Sequence, residues 1–358
     1  MHKPNVLLIQ EDLKNYRAPI YELINQKVNL TVAYTLSNEI KESTYRIINF
    51  PYRKVGPFII HKQVNKLLNQ FDVVILLPHL KFLWLDHVVF TKRSYKVVTW
   101  SIGVHVSYDR PYNLNNPPSF KDKIFESIQD HADACIFYMP EPIKYWRKYK
   151  NIDTKKYFVA HNTVKIEPFT ELPPYKEKDS FLFIGTLYAQ KGIGELIDAY
   201  SKVKKNHASM PKLYIIGKGP EKDAITSKIK KLGLENNIIL CGPIYDEKIL
   251  KDYFFKSILC ISPKQAGLSV LKSLGYGVPF VTHSDAITGG ERTNIINGIN
   301  GVLYDNPEEL ETILKDAVEN PSKYEKMSEK ARNYYLNNAS PENMARGVLD
   351  AINYALNH

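Results

Sequence analysis

Residues 258–282 constrain the fold more than any other stretch of this chain. The apolar run Ile258-Leu259-Cys260-Ile261 ends in the loop Pro263-Lys264-Gln265-Ala266-Gly267. Leu268, Leu271 and Leu274 then recur at helical spacing, Gly275 and Gly277 end the helix, and a second apolar run, Phe280-Val281-Thr282, follows Pro279. A short, continuously apolar run between turn signals predicts a strand covered on both faces. Two such runs joined through a helix predict a parallel βαβ unit.

The same alternation runs through the whole chain. Strands are predicted at 5–10, 28–34, 73–77, 96–100, 134–137 and 157–160, with helices at 19–25, 63–69 and 119–132 between them. After a polar, proline-containing stretch at 161–179, strands follow at 181–184, 212–216, 238–240, 258–261, 280–282 and 301–303. Helices at 193–206, 221–232, 246–255, 268–276, 307–319 and 321–337 intervene, and an amphipathic helix at 341–356 follows Ser340. At 358 residues the chain exceeds the usual size of one core. The expected fold class is α/β: two Rossmann-like domains, residues 1–165 and 166–340, with a ligand cleft between them and a final segment at 341–358.

Bulk properties exclude several classes. A composition of 44% hydrophobic and 24% charged residues is that of a folded globular protein. The greasiest stretch, 73–90, is broken by Pro78, His79, Lys81 and Asp86, so it does not read as a spanning helix. Cys135, Cys241 and Cys260 lack metal-ligand spacing and sit in or beside apolar runs. With an opening segment that reads as a strand and not a signal peptide, they predict a reduced, cytoplasmic protein. Residues 1–165 hold 24 Lys+Arg against 14 Asp+Glu, whereas 166–358 hold 24 of each, so the whole excess of +10 belongs to the first half. Such an excess suits an anionic partner of that half: phospholipid, lipid diphosphate or acidic glycan. Its alternative is a solvated surface without a partner. No nucleic-acid module accompanies the charge, so nucleic acid is not expected.

Three glycine turns carry the candidate chemistry. FIGTLYAQKG (183–192) puts Gly185 at a strand end and Lys191-Gly192 at a helix entrance. IIGKGP (215–220) repeats the device with Gly217, and Gly267 precedes the helix with Ser269 and Lys272. Glycine lets a ligand approach backbone amides, and a lysine adds a point charge for a phosphate. Each turn read alone is equally an ordinary strand-to-helix connection, with its lysine in solvent.

Taken in order, GTLYAQKG, IIGKGP, GLSVLKSLGYGVPFV and GGERTNIINGINGVLYD resemble the retaining glycosyltransferases of family 4 over residues 180–358. DLKNYRAPIYELI (12–24) and AHNTV (160–164) are fainter counterparts in the first half. The resemblance implies a GT-B fold, with an acceptor domain first, a nucleotide-sugar domain second and a last helix crossing back to the first. It implies no metal and no cofactor beyond the nucleotide diphosphate sugar, and the chain has no D-x-D. The donor-binding residues it implies are Gly185, Thr186, Gly217, Ile244, Lys264, Gly267, Leu268, Ser269 and Lys272. Lys191, His105 and Glu291 are the catalytic candidates, and Arg17 and Asn162 the acceptor or cleft residues; His79 and His161 are weaker candidates of the same type.

Two departures stand out. Lys264 and Lys272 occupy the positions, eight apart, where the family usually carries paired glutamates, and Thr186 stands where an arginine often follows the strand glycine. An ammonium cannot accept hydrogen bonds from sugar hydroxyls as a carboxylate does. The activity implied is retaining transfer of a sugar to a glycan or lipid-linked acceptor, in bacterial surface polysaccharide synthesis such as capsule or O-antigen. Such a protein would be cytoplasmic and peripheral on the membrane through the basic and aromatic residues of 52–66 and 81–96. A non-catalytic GT-B subunit, binding nucleotide or a partner enzyme, and a sugar-nucleotide epimerase are the alternatives.

Overall fold

The computed structural model describes residues 3–105, 114–207 and 209–358. The chain divides into two compact units, Met1–Val164 with Ala339–His358, and Lys165–Asn338.

The first unit is built on β1 (Asn5–Leu13), β2 (Asn29–Asn38), β3 (Arg46–Asn49), β4 (Tyr52–Val55), β5 (Phe58–His61), β6 (Val73–Leu76), β7 (Lys96–Ser101), β8 (Ala134–Phe137) and β9 (Tyr157–Val159). Seven of these strands form a sheet in the order β3-β2-β1-β6-β7-β8-β9, while β4 and β5 pair as a separate hairpin. Every pairing within the seven-stranded sheet is parallel. Side chains alternate across such a sheet, which explains why its strands read as continuous apolar runs. Val6 and Leu8 of β1 join one core with Val73, Ile75, Val98 and Ile136. Leu7 and Ile9 join the opposite core with Val74, Leu76 and Val97.

The C-terminal helix, Pro341–Asn357, covers the first of these faces. Its start is capped by Ser340 Oγ, which accepts the Asn343 amide at 3.3 Å. Met344, Val348, Ala351, Ile352 and Ala355 pack there against Ile20, Tyr21 and Ile24 of the helix Ala18–Asn25. Gly347 allows the approach: a Cβ at that position would lie 2.2 Å from the Val159 carbonyl oxygen. The expected helix crossing back to the first domain is therefore present.

Sequence and structure differ in several places. β1 runs to Leu13 and not to residue 10, because β2 continues to pair with it beyond a register shift between Gln10 and Asp12. β3 and the β4–β5 hairpin had no clear sequence signal: β3 and β4 hold no buried residue, and β5 is only four residues long although Ile59 and His61 are buried. Residues 73–90 form β6 and three short helical turns, Leu80–Phe82, Leu83–Asp86 and His87–Phe90. Among the described residues no helix is long and apolar enough to cross a membrane.

The second unit holds β10 (Ser180–Ile184), β11 (Lys212–Ile216), β12 (Ile238–Gly242), β13 (Ser257–Ile261), β14 (Phe280–His283) and β15 (Gly301–Tyr304). They form one sheet in the order β12-β11-β10-β13-β14-β15, parallel throughout. The helices Ile193–Asn206, Lys222–Lys231, Glu247–Lys256 and Ser269–Gly275 connect successive strands. Strand order reverses beside β10: its crossover leads to β11 on one side, while β13 lies on the other. Loops leaving a parallel sheet at such a switch point diverge and open a crevice at the strands' carboxyl ends. The first unit has the same feature between β1 and β6. The observed architecture is thus the α/β class with two Rossmann-like halves.

Candidate functional site

In the second unit, the loop after β10 carries Gly185 and Lys191, and the loop after β13 carries Lys264 and Gly267. Residues 73 positions apart are joined here, for the Lys264 amide donates to the Lys191 carbonyl at 3.3 Å. The turns after β10 and β11 interlock. Leu187 N donates to Lys218 O at 2.9 Å, Glu221 N donates to Leu187 O at 3.0 Å, and Gly185 N donates to Ile216 O at 3.0 Å. Gly217 adopts φ of +151°, and a Cβ there would meet the Gly185 carbonyl oxygen at 1.8 Å. Only glycine fits that contact.

Lys191 ends the 3-10 turn Ala189–Lys191 and is only 8% exposed. Its ammonium lies 5.7 Å from the Tyr188 ring centroid and 3.5 Å from where a Gly185 Cβ would stand. Burial lowers its pKa, while Cys260 and Glu291 pull the other way. The cation therefore sits over the glycine turn, poorly solvated, where an anion would be favoured. Beside it, Gly267 faces open space, so a Cβ there would touch nothing within 4 Å. Val270 N turns back to Gly267 O at 2.9 Å, whereas among the described residues the amides of Gly267, Leu268 and Ser269 donate to no backbone carbonyl. Thr186 is exposed on the β10 turn, and Ile244 is half-buried just past Gly242, whose carbonyl accepts the Gly217 amide at 2.9 Å.

Both loop lysines are paired with carboxylates from other elements. Lys264 is bonded to Glu195 of the helix Ile193–Asn206. Lys272 Nζ lies 2.5 Å from Glu247 Oε1, at the start of the helix Glu247–Lys256. Lys272 is thus directed at a carboxylate and does not point freely into solvent. Sequence reasoning missed Glu195 and Glu247, because nothing local marks a pair that spans 69 or 25 residues.

Glu291 is 8% exposed and opens the turn Glu291–Asn294. Its Oε2 accepts the Gly289 amide at 3.0 Å and the Thr288 hydroxyl at 3.3 Å, so the carboxylate braces its own loop.

The remaining candidates belong to the first unit. There a hollow of about 200 Å³ opens at the carboxyl ends of β1, β6, β7 and β8, lined by Glu11, His79, Trp100, His105, Gln129 and Tyr138 among others. The His105 amide donates to Asp122 Oδ1 at 2.7 Å, and its ring stacks on Phe125 with centroids 5.9 Å apart. Asp122 is itself fully buried and completes a capping box with Ser119. His79 Nδ1 accepts the Lys81 amide at 3.2 Å, so the neutral ring carries its proton on Nε2. Burial, then Lys81, lowers the His79 pKa and favours that neutral form. Residues 106–109 of the motif that contains His105 lie outside the described residues.

Arg17 ends the turn Asn15–Arg17 after β1. Its guanidinium lies 5.2, 5.5 and 5.3 Å from the Tyr16, Trp100 and Tyr138 ring centroids and donates to Tyr138 Oη at 3.2 Å. Aromatic faces, not a carboxylate, hold this charge. Asn162 is half-buried after β9, its Oδ1 accepting the Thr163 amide at 3.1 Å. His161, its neighbour, is half-buried as well. Among the described residues no group of three or more His, Cys, Asp or Glu is placed to hold a metal ion.

Comparison with known proteins fits this geometry. The family Glycosyl transferases group 1 matches residues 165–334. The amylovoran biosynthesis glycosyltransferase AmsD of Erwinia amylovora is 29% identical over 116 residues, 32% of this chain and 31% of AmsD. The curated relatives it matches are aligned over 31% to 47% of their own lengths. Among solved structures, a glycosyltransferase from Rickettsia africae superposes with a TM-score of 0.73 at 18% identity, covering 99% of each chain. Anabaena Alr3699/HepE, in complex with UDP and glucose, superposes with a TM-score of 0.66 at 14% identity over 98% of this chain and 99% of that one. The chain has the GT-B fold, and its second unit carries the match to Glycosyl transferases group 1.

Proposed function

We propose that this protein is a retaining glycosyltransferase that moves a sugar from a nucleotide diphosphate sugar to a glycan or lipid-linked acceptor. The observation that carries the reading is Lys191, buried over the Gly185 turn beside the amides of Gly267 to Ser269, which donate to no backbone carbonyl among the described residues. Breaking the bond between the anomeric carbon and the β-phosphate oxygen leaves charge on that phosphate. A preorganised ammonium and backbone N–H groups stabilise such charge as it develops. At this rim Glu291 braces its loop and Glu195 and Glu247 hold lysines, so none of these three is poised as a nucleophile. The acceptor oxygen therefore attacks from the face the phosphate leaves, and its proton passes to the departing phosphate oxygen. No metal is required in this scheme. HepE's complex with UDP and glucose supports a nucleotide sugar as donor, and the name of AmsD supports a polysaccharide product. The basic excess of residues 1–165 supports an anionic or membrane-borne acceptor and a peripheral, cytoplasmic protein.

Replacing Lys191 with alanine should lower kcat by about 10²- to 10³-fold, the loss typical of one charge-stabilising donor. The check is a radiolabelled donor assay, with circular dichroism to follow the fold; turnover near that of the wild type would sink the assignment. The pairing of both loop lysines favours one other reading, a non-catalytic GT-B subunit. It would bind nucleotide yet neither transfer nor hydrolyse any donor.

A further inference from the structure

We propose that Glu247 is the group that recognises the ribose hydroxyls of the nucleotide, with Lys272 and Tyr276 as its positioning residues; this rests on the donor reading above. Glu247 stands five residues beyond Gly242, where β12 ends on the same carboxyl rim as the glycine turns. Its carboxylate does not trail into solvent. Lys272 Nζ holds Oε1 at 2.5 Å, and Tyr276 Oη lies 3.5 Å from Oε2. Tyr276 is fully buried, stacked on Phe254 with centroids 4.9 Å apart, and its oxygen also accepts the Glu167 amide at 2.9 Å. Lys272 lies one turn beyond Gly267 and is itself 17% exposed in its side chain. Two elements with little freedom thus bring a carboxylate from the β12 side of the sheet to the edge of the glycine loop.

The pairing makes chemical use of what the sequence alone suggested was lost. An ammonium offers donors only, so Lys272 by itself cannot accept hydrogen bonds from the hydroxyls of a sugar. A carboxylate has about four acceptor sites, and the two contacts on Glu247 leave acceptor capacity open on a side chain that is 40% exposed. A vicinal diol is the complementary ligand: two neighbouring O–H donors that one fixed carboxylate accepts together. Residence at the first turn of the helix Glu247–Lys256 sets the carboxylate at the positive end of the helix dipole. The order along the rim is then Lys191 and Gly267 for the diphosphate and Glu247 for the sugar of the nucleoside.

The test is calorimetric titration of the full chain with UDP, ADP and GDP, then with the 2′,3′-dideoxy form of the tightest binder. The ribonucleotide should bind at least about 10-fold tighter than its dideoxy counterpart, as hydrogen bonds to a charged group imply. Glu247→Gln should shrink that ratio below about 3-fold while leaving the dideoxy affinity unchanged, the signature of a lost charged acceptor. Lys272→Met should shrink it in part, since the carboxylate remains but is no longer held. A ratio that Glu247→Gln does not move, or a wild type that does not discriminate, overturns this inference alone. A wild type that binds none of the three nucleotides overturns it together with the donor reading.

Discussion

At the scale of single residues, four lysines show how far burial and partners govern what a charge does. Lys191 is buried over a glycine turn, Lys264 and Lys272 are neutralised by carboxylates, and Lys178 has no carboxylate partner among the described residues. Lys178 is 8% exposed and donates to the Ser257 carbonyl at 2.9 Å. Burial pulls its pKa down to about 7 from 10.5. Its folded-state pKa is below the unfolded value, so between pH 7 and 10 the unfolded chain binds the extra proton. Stability then rises with pH through that window, and the full cost of the buried charge is borne below it. Lys178→Met should therefore be more stable than the wild type at pH 6, with the gap closing by about 1.4 kcal/mol per pH unit from 7 to 9. Urea unfolding of both proteins at several pH values checks this, and parallel profiles would exclude it. None of these environments is written in the local sequence. A lysine after an apolar run looks the same whether its tip reaches water, a carbonyl or a glutamate.

Elements were legible where a period and a boundary coincided. The apolar runs of β6, β8, β11 and β13 mark doubly covered strands, and proline or a capping serine marks the helices Pro321–Tyr334, Pro341–Asn357 and Phe120–His131. β3 and the β4–β5 hairpin were not legible, since β3 and β4 hold no buried residue and β5, at four residues, is too short for its alternation to stand out. The glycine turns gave themselves away by residue type, but not which glycine is obligatory. Gly217→Ala would drive a Cβ to within 1.8 Å of a backbone oxygen at φ of +151°, whereas Gly267 has open space. The first substitution should cost about 3 kcal/mol or more, and the second less than about 1 kcal/mol. Thermal melts of the two variants make the comparison. Nucleotide binding should weaken in Gly267→Ala although its fold persists.

At the scale of the whole molecule, the basic excess of residues 1–165 becomes a surface of definite make-up. Arg53 and Lys54 lie on the β4–β5 hairpin, where Val55 and Phe58, paired across the strands, are 49% and 44% exposed. Lys66 and Lys92 flank a hollow of about 580 Å³ together with His87 and Trp84, which is 66% exposed. No carboxylate occurs in residues 51–66, and the single one in 81–96, Asp86, is buried, with its pKa raised well above the usual range by that burial. Cations interleaved with exposed aromatic rings suit an anionic bilayer. The protein should sediment with phosphatidylcholine vesicles containing phosphatidylglycerol, and less so as salt rises. Lys62→Glu with Lys66→Glu should weaken this by about 10-fold or more, at about 1 kcal/mol per basic residue near the surface. Equal retention on neutral vesicles would argue against it.

The sequence by itself determined the α/β class, the two Rossmann-like halves and the order of the glycine turns, because strand burial, helix period and turn chemistry are local properties of the chain. Which charges meet was decided only in the folded protein. Lys264 finds Glu195 and Lys272 finds Glu247 because the switch point beside β10 and the crossover from β12 to β13 bring their loops together. Contact across a sheet rim depends on strand order, and strand order is a property of the assembled sheet.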